Sequence, residues 1–178
     1  MGNLCSGQTH LRPSVVGVTD ESTDVVARLD AMTVDELAKI PRFSFNGQRV
    51  TARVSRVYDG DTVFVVFPHA DYLYSFVVRM KGYDSAEMRV SKSNPHRDVI
   101  KAKAVSAKMA LSELVLGKKV ILVCHEHDKY GRLLADVYTM DGLHVNKYMI
   151  DEKHGIPYDP AVGAKRSHVV IDTDTFDL

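Results

Sequence analysis

Residues 49–67 read RVTARVSRVYDGDTVFVVF, and their pattern decides the fold. The first ten residues alternate and are rich in β-branched side chains, which suits a strand with one buried face. Asp59-Gly60 then gives a turn signal, and TVFVVF resumes as a second strand. After a short polar loop, YSFVVRMKG supplies a third strand. Three strands joined by short turns form an antiparallel meander.

Beyond the meander, the segment from Asp98 to Leu116 is helical. Ile100, Ala104, Ala107, Leu111 and Leu114 recur at about 3.6 residues, and Gly117 closes the run. KKVILVCHE and RLLADVYTM are two further strands, Asp141-Gly142 is a turn, and VNKYMIDEKHG is a short helix ending at Gly155. Five strands with a helix between the third and fourth make a mainly β chain with helices (α+β), folded as a five-stranded barrel of the OB type. The domain is expected over residues 46–160, with a leader and linker over 1–45 and a polar tail over 161–178. In the leader, QTHLRPSVVGVTDESTD shows no sustained period, which argues against packed structure. Thr33 and Glu36 then have capping-box spacing before Leu37 and Ile40, and Pro41 stops the short helix begun there.

Composition narrows the function. The formal net charge is zero, so no global basic field advertises a polyanion, and any such attraction must be local. No apolar run approaches the roughly 20 residues that span a bilayer, and the N-terminus lacks the layout of a secretory signal. Cys5 sits in the polar leader and Cys124 in the apolar run VILVCHE, which suits a reducing compartment without a disulfide. Cys124 reads as core packing, and the alternating His125 and His127 lack a third ligand for zinc and read as a surface pair.

Three clusters sit where strands meet turns. YDGDTV holds Asp59 and Asp61; VVRMKGYDSAEMR holds Arg79, Asp84 and Glu87; DKYGR holds Lys129, Tyr130 and Arg132. Alone, each is explained by a hairpin turn or a solvated loop with ordinary ion pairs. Together they offer more. Asp61 and Asp84 provide hard oxygens suited to Ca²⁺ or Mg²⁺, Glu87 a third carboxylate to polarise water, and two arginines a clamp for a phosphodiester. Those are the components of metal-assisted phosphodiester hydrolysis. Arg89, Lys92, Arg97, Lys101, Lys103 and Lys108 form a basic run that is either a solvated helix face or a means of steering a nucleic-acid strand.

The DGDT turn, the Arg-x4-Asp-x2-Glu spacing and the D-x-YGR loop together resemble the staphylococcal nuclease family over roughly residues 48 to 160. The resemblance implies a Ca²⁺-dependent nuclease that cleaves DNA and RNA with little base preference, uses single-stranded DNA or RNA best and leaves 3′-phosphate ends. It implies one Ca²⁺ held by Asp61, Asp84 and the backbone carbonyl of Ser85. Glu87 is similar to the family's general base, Arg79 and Arg132 to its phosphate-binding arginines, and Lys129, Tyr130 and Tyr158 to residues beside the substrate. Asp84-Ser85-Ala86-Glu87 departs from the family's Asp-Thr-Pro-Glu, and losing the proline removes a fixed φ from the loop that carries Glu87. The family's long C-terminal helix has no clear counterpart after Tyr158. A second reading is a catalytically weak module of the same fold that binds nucleic acid or protein partners, and a third is a membrane-tethered scaffold.

The opening MGNLCSG supplies the membrane. Gly2 and Ser6 match the N-myristoylation pattern, and Cys5 is placed for a palmitate that would make anchoring stable. Some plant calcium-dependent nucleases of the family look similar there. The expected location is the cytosolic face of a membrane, the plasma membrane first.

Overall fold

The computed structural model describes residues 20–158, and side chains from residue 25 onward. Gly2 and Cys5, and the tail over 161–178, lie outside the described residues. The chain divides into two units, one up to Phe43 and one from Ser44.

The first unit holds two helices, α1 (Asp20–Asp30) and α2 (Val34–Leu37). The capping box is present at α2: the Thr33 hydroxyl accepts from the Glu36 N–H, and the Glu36 carboxylate accepts from the Thr33 N–H at 2.8 Å. α1 was not expected from the polar leader. Acidic and hydroxyl residues open it and Arg28 lies in its last turn, the polarity a helix dipole favours. Val25, Val26 and Leu29 remain about half exposed, so its period buries little.

The second unit is a closed barrel of β1 (Arg49–Val57), β2 (Thr62–His69), β3 (Tyr72–Met80), β5 (Lys119–His127) and β6 (Leu133–Thr139), in the order β1-β2-β3-β6-β5. The expected meander is there, and closure comes from the parallel pairing of β3 with β6, Val78 opposite Leu133 and Arg79 opposite Leu134. Alternation puts Ala52, Val54, Val63, Val65, Phe67, Val78, Val120, Leu122 and Cys124 inside. Cys124 is the core residue expected of it.

α3 (Arg97–Val115) buries Ala104, Ala107, Leu111 and Val115. Val115, rather than Leu114, completes the buried row. α4 (Val145–Asp151) follows β6. Two three-residue strands had no counterpart in the sequence pattern: β4 (Tyr83–Ser85) pairs antiparallel with β7 (Gly155–Pro157) in a separate small sheet. Strands this short show no usable period.

Asn146 ties α4 to the barrel. It is 2% exposed, its side-chain oxygen accepts from the Val137 N–H at 2.8 Å, and its amide donates to the carbonyls of Lys81 (2.9 Å) and Ala135 (3.1 Å). Replacing Asn146 by Ala leaves the Val137 N–H and the Lys81 carbonyl unmatched, and should cost about 3 kcal/mol. Urea denaturation measures this; a loss below about 1 kcal/mol would show that the network does not hold the helix.

Candidate functional site

The site forms where β2 begins and β3 ends. The turn Tyr58–Asp61 is fixed from several directions. The Met80 N–H donates to the Asp61 carbonyl at 2.8 Å. The buried Tyr83 hydroxyl donates to the Gly60 carbonyl, also at 2.8 Å. Gly60 is required by space: a Cβ there would lie 2.7 Å from the Cβ atoms of both Ala107 on α3 and Ser85 on β4. The Asp-Gly pair therefore does more than turn the chain. It lets a helix and a second strand close over the turn.

Asp61 and Arg79 are 7% and 8% exposed, and each is surrounded by partners. Asp61 Oδ1 accepts from the Thr62 hydroxyl at 2.9 Å and lies 3.4 Å from Arg79 Nε. Its Oδ2 accepts from the Ser85 N–H at 2.8 Å and the Ser85 hydroxyl at 2.9 Å. Arg79 donates to the carbonyls of Met80 (2.7 Å) and Tyr83 (2.8 Å) and to Asp84 Oδ1. One guanidinium thus gathers two carboxylates and the end of its own strand. The clamp expected of Arg79 is turned inward, its donors engaged by the protein.

Arg132 differs. Its Nε donates to Asp128 Oδ2 at 2.7 Å, its guanidinium stands 5.6 Å from the Tyr130 ring, and its terminal amino groups have no protein partner among the described residues. Asp128 also accepts from the N–H groups of Tyr130 and Arg132 at 2.8 and 2.9 Å. Burial pushes the Asp128 carboxyl up, but these donors and the Arg132 charge outweigh it and hold it below its ordinary value. Register places Arg132 next to β3, since the following Leu133 pairs with Val78.

The other expected residues fall around this core. Lys129 and Tyr130 are exposed on the β5–β6 loop, with the ammonium 5.0 Å from the ring. Tyr158 follows β7 and its N–H donates to the carbonyl of Gly82, just before β4, at 2.9 Å. Glu87, two residues beyond β4, is exposed and has no protein partner among the described residues. The network of Asp61, Arg79 and Asp84 does not include it.

Asp59 is the residue that turn statistics hid. Its Oδ1 accepts from the Asp61 N–H at 3.2 Å. Burial, and then the adjacent Asp61 charge, push its carboxyl up to about 6. Only the tertiary burial of the turn separates it from an ordinary Asp-Gly hairpin.

His125 is not a bare surface histidine. Its Nε2 lies 2.7 Å from Asp136 Oδ2, and His144 Nε2 lies 3.3 Å from the other oxygen. His127 remains exposed.

The oxygens of Asp61 and Asp84 suit a hard divalent cation. Asp84 is part-exposed, and its Oδ2 has no protein partner among the described residues. No group of three His, Cys, Asp or Glu side chains close enough to hold a metal occurs among the described residues. The donor set fits a hard cation that takes most of its ligands from water and substrate, as such ions accept.

Residues 78–158 match the family described as staphylococcal nuclease homologue. The chain therefore carries a staphylococcal-nuclease-like domain, with the OB-type barrel expected of it. Two relatives bear the name uncharacterized endonuclease, from Escherichia coli O157:H7 and Escherichia coli. Each is 32% identical over 101 residues, covering 57% of this chain and 56% of the relative. The chain thus spans a little over half the length of the curated relatives it matches. The family match contains Arg79, Asp84, Glu87 and Arg132, and begins after Asp61.

The Asp59 carboxyl sets a pH dependence of stability. Its folded value lies above the unfolded 3.8, so the folded protein keeps a proton that the unfolded chain has released. Its contribution is fully present below about pH 4 and is lost as pH rises through about 6. Asp59→Asn keeps the acceptor and removes the charge. In chelator it should gain about 1–2 kcal/mol over wild type at pH 7.5, after discounting for partial exposure, and nothing at pH 4. Urea titrations at the two pH values check this; an equal gain at both removes the assignment to Asp59.

Proposed function

We propose that this chain is a nuclease: a Ca²⁺-dependent phosphodiester hydrolase acting on DNA and RNA, single strands first, with little sequence preference. The observation that carries it is the division of labour among the charged groups. Asp61 and Asp84 converge on one inward-facing guanidinium, while Glu87 and the terminal amino groups of Arg132 have no protein partners among the described residues. The staphylococcal-nuclease-like domain and the two relatives named as endonucleases support the same chemistry.

In this reading Asp61, Asp84 and the Ser85 carbonyl hold the cation. When bound, it would supply a Lewis acid beside the scissile phosphate. Arg79 holds both carboxylates in place. Glu87 accepts a proton from water; the water oxygen bonds to phosphorus, the bond from phosphorus to the 5′ oxygen breaks, that oxygen takes a proton from solvent and leaves as a 5′-hydroxyl, and a 3′-phosphate remains. Arg132 donates to the non-bridging oxygens as their charge grows, from an orientation that Asp128 and Tyr130 fix beforehand. Lys129, Tyr130 and Tyr158 flank the strand.

Glu87→Gln and Arg132→Ala should each reduce cleavage of single-stranded DNA by about 10²–10⁴-fold, since each removes an interaction made in the transition state. Wild type should cut in calcium and not in chelator. The catalytically weak binding module draws support from Arg79, whose donors are committed inside the protein. Strand binding without cleavage by wild type would favour that module, and cleavage by both variants equal to that of wild type would remove the catalytic roles of Glu87 and Arg132.

We place the chain on the cytosolic face of a membrane, held by acyl groups on Gly2 and Cys5. The support is the sequence pattern: Gly2 and Ser6 fit N-myristoylation, and Cys5 is placed for a second acyl chain that makes anchoring stable. Gly2→Ala should move the protein from the membrane pellet to the soluble fraction on cell fractionation. Retention in the pellet would overturn the anchor.

A further inference from the structure

The outer face of β1 carries Arg49, Arg53 and Arg56, all exposed. Simple alternation would not achieve this, because Arg53 and Arg56 differ in parity. A register shift between Val54 and Arg56 resolves it: Ser55 and Arg56 are both exposed, and Val57 returns to the core. The bulge thus brings Arg56 to the face that Arg49 and Arg53 already share. β5 lies alongside, with Lys119 directly opposite Arg53 and exposed.

These four cations are unopposed. None lies within ion-pair distance of an acid among the described residues, although the chain as a whole is neutral. Glu126, the acid on β5, accepts from the Ser44 hydroxyl. Arg53 Nε donates to the Gly117 carbonyl. Arg56 sits over an aromatic, its guanidinium 3.9 Å from the Phe64 ring centroid and 5.9 Å from that of Tyr58. A guanidinium stacked on a ring keeps its edge donors free, which suits it to phosphate. Tyr58 is 48% exposed and immediately precedes Asp59, so the row of charges leads into the turn of the site. From Arg49 to Arg56 a strand covers about 23 Å, enough to follow several nucleotides.

We propose that the outer face of β1 and β5 is a second contact for the nucleic-acid strand, a basic track of Arg49, Arg53, Arg56 and Lys119 running to the Asp59–Asp61 turn. It rests on the nuclease reading above and adds to it a preference for long strands over short ones. The phosphates of the strand beyond the scissile bond lie along the arginines, and exposed Tyr58 offers a base a stacking surface between track and site.

The test uses the full chain with Arg49, Arg53, Arg56 and Lys119 all changed to Gln, beside a variant with the three arginines changed to Lys. Binding of labelled oligothymidylates of about 30 and about four nucleotides is measured in chelator against salt. The Gln variant should bind the long strand more than about tenfold more weakly, with a salt slope smaller by about 3, and the short strand as wild type does. In calcium, kcat/KM should fall for the long strand alone. The Lys variant should keep the wild-type slope. An unchanged affinity and slope for the long strand, with wild type binding and cutting normally, would overturn the track and leave the nuclease reading intact. Equal losses on both strands would also overturn it, since the damage would then lie in the site. Loss of binding to phosphatidylserine vesicles with DNA binding untouched would reassign the face to a membrane. A wild type that neither binds nor cuts nucleic acid would remove the nuclease reading, and the track with it.

Discussion

The pairing of Arg79 with Asp61 is the constraint on which the arrangement of the barrel end depends. Both groups are almost fully buried, and each charge is tolerable only because the other is there with further hydrogen bonds around it. The guanidinium also caps the carbonyls of Met80 and Tyr83, so the chain must bend sharply after β3. That bend delivers Ser85, whose N–H and hydroxyl close on the other side of Asp61. Removing either partner would leave an uncompensated buried charge, a loss of about 3–5 kcal/mol in such pairs.

What was legible in the sequence follows from how local each signal is. Alternation over 49–57 and the row of alanines and leucines on α3 reveal which faces are buried before any partner is known. Asp61 and Arg79 were legible because the turn and strand end that carry them are local features. Tyr83 and Asn146 were not, because each earns its importance from atoms far away in sequence: Gly60 for one, Lys81 and Val137 for the other. Asp59 looked like half of a hairpin turn until burial raised its carboxyl. The inward commitment of Arg79 was equally invisible, since a motif names residue types and leaves the direction of their donors unstated. The β-bulge that turns Arg56 outward leaves no mark on the alternation beyond one skipped step.

A neutral chain can still present a field. Here several acids are turned to internal partners: Asp61 and Asp84 to Arg79, Asp128 to Arg132, Asp136 to two histidines. Among the described residues the cations on the outer face of β1 have no ion-pair partner, so they face solvent. Net charge therefore says little about what a strand of phosphates would meet on approach, because the relevant quantity is the local sign within a screening length of about 8–10 Å.

The two-stranded sheet has a consequence for when the site comes into being. Asp84 and Ser85 are held in β4 by pairing with β7, whose residues 155–157 come after every strand of the barrel and after α4. A chain made from its N-terminus gains the barrel strands first and the partner of β4 last. The carboxylate arm beside Arg79 thus lacks its clasp throughout most of synthesis. A growing chain would acquire the paired form of β4, and with it the full setting of Asp84 and Ser85 around Arg79 and Asp61, only once residues 155–157 have left the ribosome.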